Sequence, residues 1–138
     1  MRVSTDENLR LIKDIHAPGQ SPTQAVLRNC SDDIEWWVAG PPEILPWAGT
    51  WHGRDGLERW RGIINDIMEY EQLEASEFIA QGDSIAVLLH ARAHHKASGR
   101  PLESDIVRIY NMRNGKVVRA RSYIDTAAYV AAVLGTPK

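Results

Sequence analysis

The second half of the chain constrains the fold most. Four stretches, "EQLEASEFIA", "SIAVLLHARAHHK", "PLESDIVRIYNM" and "KVVRARSYID", are separated by "QGD", "ASGR" and "RNG". Gly beside Asp, Ser or Asn is hairpin punctuation, because these residues reach the backbone conformations that tight turns between strands need. The pattern predicts an antiparallel meander. Before it, the period is helical. "STDENLRLIKDIH" opens with a capping box, Ser4 followed three residues on by Glu7, and Leu9, Ile12 and Ile15 mark one face. "APGQ" ends that helix, and "SPTQAVLRNC" starts another with Ser21 as N-cap and Pro22 at the first helical position. From Gly56, the residues Leu57, Trp60, Ile64, Ile67 and Met68 recur at helical spacing, which predicts a third, amphipathic helix ending near Tyr70. "DTAAYVAAVLG" closes the chain as a short helix, capped by Asp125 or Thr126 and stopped by Gly135. Helices first and a curved antiparallel sheet after them define an α+β class.

Between the second and third helices lies "IEWWVAGPPEILPWAGTWHGRDGLERW", which holds all five tryptophans of a chain with one phenylalanine. "DDIEWWV" has strand character, and "AGPPEILPW" is too rich in proline for anything but a shaped loop. Aromatics concentrated there form either the rim of a binding cavity or an ordinary core. Trp37, Trp47, Trp51 and Trp60 read first as core or loop anchors.

A chain of 138 residues fits one domain, 1–138, able to bury a core without disulfides or metal. Its 16 basic and 18 acidic residues supply no net positive field, which argues against nucleic acid as a partner. Cys30 stands alone, so no internal disulfide forms and a cytoplasmic location is expected. The N-terminal "MRVSTDENLRLI" lacks an apolar signal core, and no apolar run approaches the roughly 18 residues of a membrane span. No membrane partner and no cofactor are expected.

"SIAVLLHARAHHK" is ambiguous. Its Ala, Leu and Arg favour helix, in which His90 and His94 would stand one turn apart and could chelate a metal. As a strand, four residues span roughly 13 Å, too far for two imidazoles to share an ion. The flanking turns favour the strand, and no metal is expected.

The order of elements, with "DDIEWWVAGPP", "PWAGTWHGRDGLERW", "SGRPLE", "RNGKVVRARSYIDT" and the aliphatic last helix, resembles the SnoaL-like polyketide cyclases and ketosteroid-isomerase-related proteins of the nuclear transport factor two-like superfamily. The resemblance implies a cone-shaped barrel: a strongly curved antiparallel sheet, three helices packed in its concave face, an apolar cavity between them, and a short C-terminal helix. It also implies which strand faces look inward: Ala86, Leu88, His90, Arg92 and His94; Ile106, Arg108 and Tyr110; Val118, Ala120, Ser122 and Ile124; and Trp36 on the first strand.

Three departures stand out. Ser122 occupies the position where related cyclases place a carboxylate acid/base, and Arg108 the position of a neighbouring histidine. Related epoxide hydrolases carry an arginine and an aspartate two apart; here Arg92 is kept and His94 replaces the aspartate. Inward arginines and histidines without a carboxylate beside them call for a negatively polarised ligand, since an unpaired buried charge costs several kcal/mol. The expected catalytic set is His94 to move a proton, with Arg92 and Arg108 to stabilise an oxyanion. Trp36, His90, Ile106, Tyr110, Ser122 and Trp47 are the expected ligand-binding residues, with the "GPPEILPWAGTWHG" loop as the cavity's lip. The reaction implied is acid/base chemistry next to a carbonyl, as in an isomerase or cyclase; the alternative is a binding module for a small apolar, anionic ligand. A homodimer is expected through an outward stripe of Ile85, Val87, Leu89 and Ala91 beside Val107 and Ile109.

Overall fold

The structure, a computed structural model, describes residues 3–135, so the first two and last three residues of the expected domain lie outside the described residues. Helix α1 (Thr5–Ile15) starts where Ser4 Oγ accepts the Glu7 N–H at 3.1 Å. Its buried line is Asn8, Ile12 and Ile15, with Leu9 only partly covered. Ser21 caps α2 (Pro22–Arg28) in the same way, with proline at the N-terminal position that has no N–H to satisfy. Helix α3 (Gly53–Ile67) buries Leu57, Trp60 and Ile64. It runs directly into strand β3, three residues short of the expected Tyr70.

The strands are β1 (Cys30–Val38), β2 (Gly49–His52), β3 (Met68–Gln81), β4 (Ser84–His95), β5 (Pro101–Arg113) and β6 (Lys116–Tyr123), and α4 (Thr126–Leu134) follows. They form one sheet in the order β2-β1-β6-β5-β4-β3, open at β2 and β3, so the cone is not a closed barrel. The expected meander is β3 to β6, all antiparallel. Its last turn is a two-residue one, Asn114 at φ 52° and Gly115 at φ 75°, the paired positive φ that suits the strands' twist. The sheet is mixed rather than wholly antiparallel, because β1 lies parallel to β6. Part of the expected loop is also strand: β2 pairs Trp51 with Trp36.

The proline-rich stretch before β2 folds inward. Leu45 and Trp47 are fully buried, and Gly40 at φ 132° makes the turn possible, since a Cβ there would lie 2.8 Å from Leu45 Cδ1. Trp51 Nε1 donates to the Trp47 carbonyl at 2.9 Å and ties the segment to β2. Helices α1 to α3 cover one face of the sheet over a single hydrophobic cluster.

Strand β4 overturns the expected parity. Ile85, Val87, Leu89, Ala91 and Ala93 are buried, whereas Ala86, Leu88, His90, Arg92 and His94 lie on the outer face. Pairing fixes this: Val87 sits opposite Arg108 and Leu89 opposite Ile106, both on the covered side of β5. In β6 the register shift beside Met112 puts Val117, not Val118, in the core, with Ala120 and Ser122.

Candidate functional site

Between α2, α3 and the covered face of the sheet lies a cavity of about 380 Å³. Gln20, Asn65 and Glu71 stand at its rim, Ile64 and Ile106 on its walls, and Trp47, Trp60, Tyr70 and Tyr129 give it an aromatic lining. Arg108 and Ser122 are its inner polar groups, 5% and 2% exposed. A greasy lining with a few converging polar groups is the usual make-up of a small-molecule site.

Arg108 is held from three sides. Its Nε donates to Ser122 Oγ at 2.9 Å, its Nη1 makes a long contact of 3.5 Å to the Tyr110 hydroxyl, and its guanidinium lies 4.8 Å from the centre of the Trp36 ring. Trp36 is braced by Trp60, with ring centres 5.1 Å apart. None of the ion pairs among the described residues involves Arg108. A cation that is always charged is thus buried against neutral hydroxyls and a π face, with further N–H donors unused.

Behind it, His16 Nε2 lies 2.8 Å from the Tyr110 hydroxyl. Burial, and then the Arg108 charge, push the His16 pKa down to about 3, so the imidazole is neutral. Tyr70 and Tyr129 pair their hydroxyls at 2.7 Å, and Trp47 packs edge-on against Tyr129 at 6.0 Å. Burial raises both phenols, that of Tyr70 well above the ordinary value, and keeps them protonated. Two hydroxyls sharing one bond leave one proton free to donate. The inner cavity is therefore rich in donors, and among the described residues the one carboxylate in its lining, Glu71, stands at the rim, bonded to His94.

Of the expected site residues, Arg108, Ile106, Ser122 and Trp47 line the cavity, and Trp36 and Tyr110 support Arg108 from behind. His90, Arg92 and His94 are not with them, because β4 presents them to the opposite face. There they meet partners of their own. His90 Nδ1 lies 2.8 Å from Asp105, Arg92 Nη1 donates to Gln72 at 3.3 Å, and His94 bonds Glu71. With carboxylates beside both histidines, the unbalanced charge expected for this group is absent, and it remains only at Arg108. His90 and His94 sit on a strand, so the one-turn helical spacing that would let them share a metal does not occur; no group of three or more potential metal ligands occurs among the described residues.

Three side chains of this arrangement escape a reading of the sequence. His16 looks like an ordinary helix-end residue in "DIHAPG", and Tyr70 like the tail of α3. Tyr129 gives the only hint, as the lone aromatic in an otherwise aliphatic last helix.

A sheet order β2-β1-β6-β5-β4-β3 with three helices over one face and a cavity between defines the nuclear transport factor two-like architecture. Within it the chain belongs to the SnoaL-like domain family, whose profile matches residues 18–120. It is similar to a nuclear transport factor two-like protein from Burkholderia xenovorans LB400, with 33% identity over 96% of this chain and 99% of that one and a TM-score of 0.81. TerC, co-crystallised with polyporic acid, shares the fold at 24% identity over 92% of this chain and 98% of its own, TM-score 0.74. A protein of ketosteroid isomerase-like fold from Catenulispora acidiphila, in complex with trimethylamine, shares it at 13% identity over 98% and 96%, TM-score 0.69. No protein of curated function matches significantly. Among the described residues no helix is long and apolar enough to cross a membrane.

Proposed function

We propose that the protein binds a small, flat, mostly apolar molecule through an anionic oxygen, with Arg108 as the anchor. The carrying observation is the buried guanidinium at the inner end of an aromatic cavity, without a carboxylate partner. Burial of an uncompensated cation costs several kcal/mol, and an anion in the cavity offsets that cost. The Tyr70–Tyr129 pair supplies a further donor for a ligand oxygen, and Trp47, Trp60 and Tyr129 supply flat walls. Small molecules held by fold relatives, polyporic acid in TerC among them, support a ligand role for the cavity.

Binding is favoured over catalysis by the same geometry. The expected proton carrier, His94, lies outside, and Ser122 is no general base. The test is a thermal-shift and calorimetric panel of aromatic and terpenoid acids beside their amides, on the wild type and on Arg108→Met. Acids should bind more tightly than amides by about tenfold or more, and Arg108→Met should erase the difference. Equal binding of acids and amides by the wild type would sink the reading. Proton exchange at a carbon next to a carbonyl in a bound ligand would replace it with an isomerase.

We also propose a homodimer through the outer face of the sheet, where Leu88, Val107, Ile109 and the Trp37–Tyr123 pair are incompletely covered. The stripe expected from the sequence is corrected on β4: Ile85, Val87, Leu89 and Ala91 are core, and the outward residues are Ala86 and Leu88.

A further inference from the structure

His16 does not line the cavity, yet it is bonded to the Tyr110 hydroxyl, one of the two hydroxyls that Arg108 contacts. The Tyr110 oxygen lies between two nitrogen groups, 3.5 Å from Arg108 Nη1 and 2.8 Å from His16 Nε2. A guanidinium donates only and cannot accept a proton. Among the described residues the Tyr110 O–H has one hydrogen-bond acceptor, His16 Nε2, provided that nitrogen is unprotonated. The imidazole then carries its proton on Nδ1.

We propose that His16 is a positioning residue for the Arg108 anchor: by accepting the Tyr110 proton at Nε2 it turns the lone pairs of the Tyr110 oxygen toward the guanidinium. With Ser122 on Nε and Trp36 across its face, Arg108 is then fixed with its remaining N–H groups toward the cavity. Without His16 the tyrosine proton has no acceptor and the hydroxyl dipole can turn against the cation. The aromatic frame would survive, because His16 packs on Tyr110 and Phe78 as a ring, with centres 5.7 and 6.3 Å away, and phenylalanine can take that place. The inference rests on the reading of the cavity as an anion site.

The first test is nitrogen-15 correlation spectroscopy of the wild type. His16 should show a proton-bearing Nδ1 and an unprotonated Nε2; the opposite tautomer would overturn the proposal whatever the cavity binds. The second uses 2-naphthoate and 2-naphthamide as probes. His16→Phe should weaken the acid roughly five- to tenfold and leave the amide unchanged, the size of about one ordinary hydrogen bond. His16→Gln, which restores an acceptor, should recover most of the loss. Tyr110→Phe should match His16→Phe, and the double variant should be no worse than either. Equal weakening of acid and amide in His16→Phe, or no rescue by glutamine, would reduce His16 to a packing residue. Failure of the wild type to prefer acids would instead reject the anion reading itself, with the tautomer still deciding the hydrogen bond.

Discussion

Arg108 and His16 show how one cation organises its neighbours. Burial first, and then the Arg108 charge, keep His16 neutral. Burial also keeps Tyr110 protonated, against the pull of the cation, and Ser122 accepts from Nε. This has a consequence for stability. The folded His16 pKa, about 3, lies below the unfolded value of 6.5, so between those limits the unfolded chain takes up a proton that the native one refuses. Stability should therefore fall as pH drops from about 6.5 toward 3, with a slope contribution approaching about 1.4 kcal/mol per pH unit and flattening below 3. Chemical denaturation across that range, on the wild type and on His16→Gln, checks it. The variant should lose the His16 part of the slope; identical slopes would mean that His16 titrates normally.

At the scale of elements, the caps and the turns were legible because their chemistry is local. Ser4, Ser21 and Asp125 each accept a backbone N–H at the helix start where the sequence placed them, and Asn114-Gly115 makes the expected turn. The inner residues of β5 were legible for another reason: the resemblance supplied the parity that Ile106, Arg108 and Tyr110 keep. Strand β4 was misplaced although its alternation has contrast: Ile85, Val87, Leu89, Ala91 and Ala93 are all apolar while the other row carries His90, Arg92 and His94, and the parity implied by the resemblance overrode it. Its face is set by the hairpin between His95 and Pro101, and a slip of one residue there turns every side chain over. The Glu71 bulge between the paired residues Tyr70 and Gln72 is silent in sequence, yet it decides that Tyr70 enters the cavity. Leu89→Ala should thus cost about 2 to 5 kcal/mol, a core-sized loss, and His90→Ala less than about 1 kcal/mol. Urea unfolding of the two variants distinguishes the faces, and the reverse order would return His90 to the interior.

For the whole molecule, the outer face has a pattern that suits a second copy. Cross-strand rows read Glu77, Leu88, Val107, Tyr123 and Ile79, Ala86, Ile109, Arg121 from β3 to β6. Apolar side chains occupy the middle strands, while β3 adds the acids Glu74 and Glu77 on one flank and β6 the bases Arg119 and Arg121 on the other. A twofold axis in the plane of contact, parallel to β4 and β5, exchanges the flanks and lays β3 of each copy against β6 of the other. Acid then meets base on both sides of an apolar centre, a self-complementary arrangement of the kind that isologous interfaces require. Sedimentation should give a dimer at micromolar concentration, and Val107→Glu, which buries a charge at the centre, should give a monomer whose cavity still binds its acid. Glu77→Arg and Arg121→Glu should each weaken the dimer by repulsion, and together they should restore it, since the swapped flanks again face opposite charge. A monomeric wild type would reject the interface; a dimer indifferent to Val107→Glu would place it on some other face.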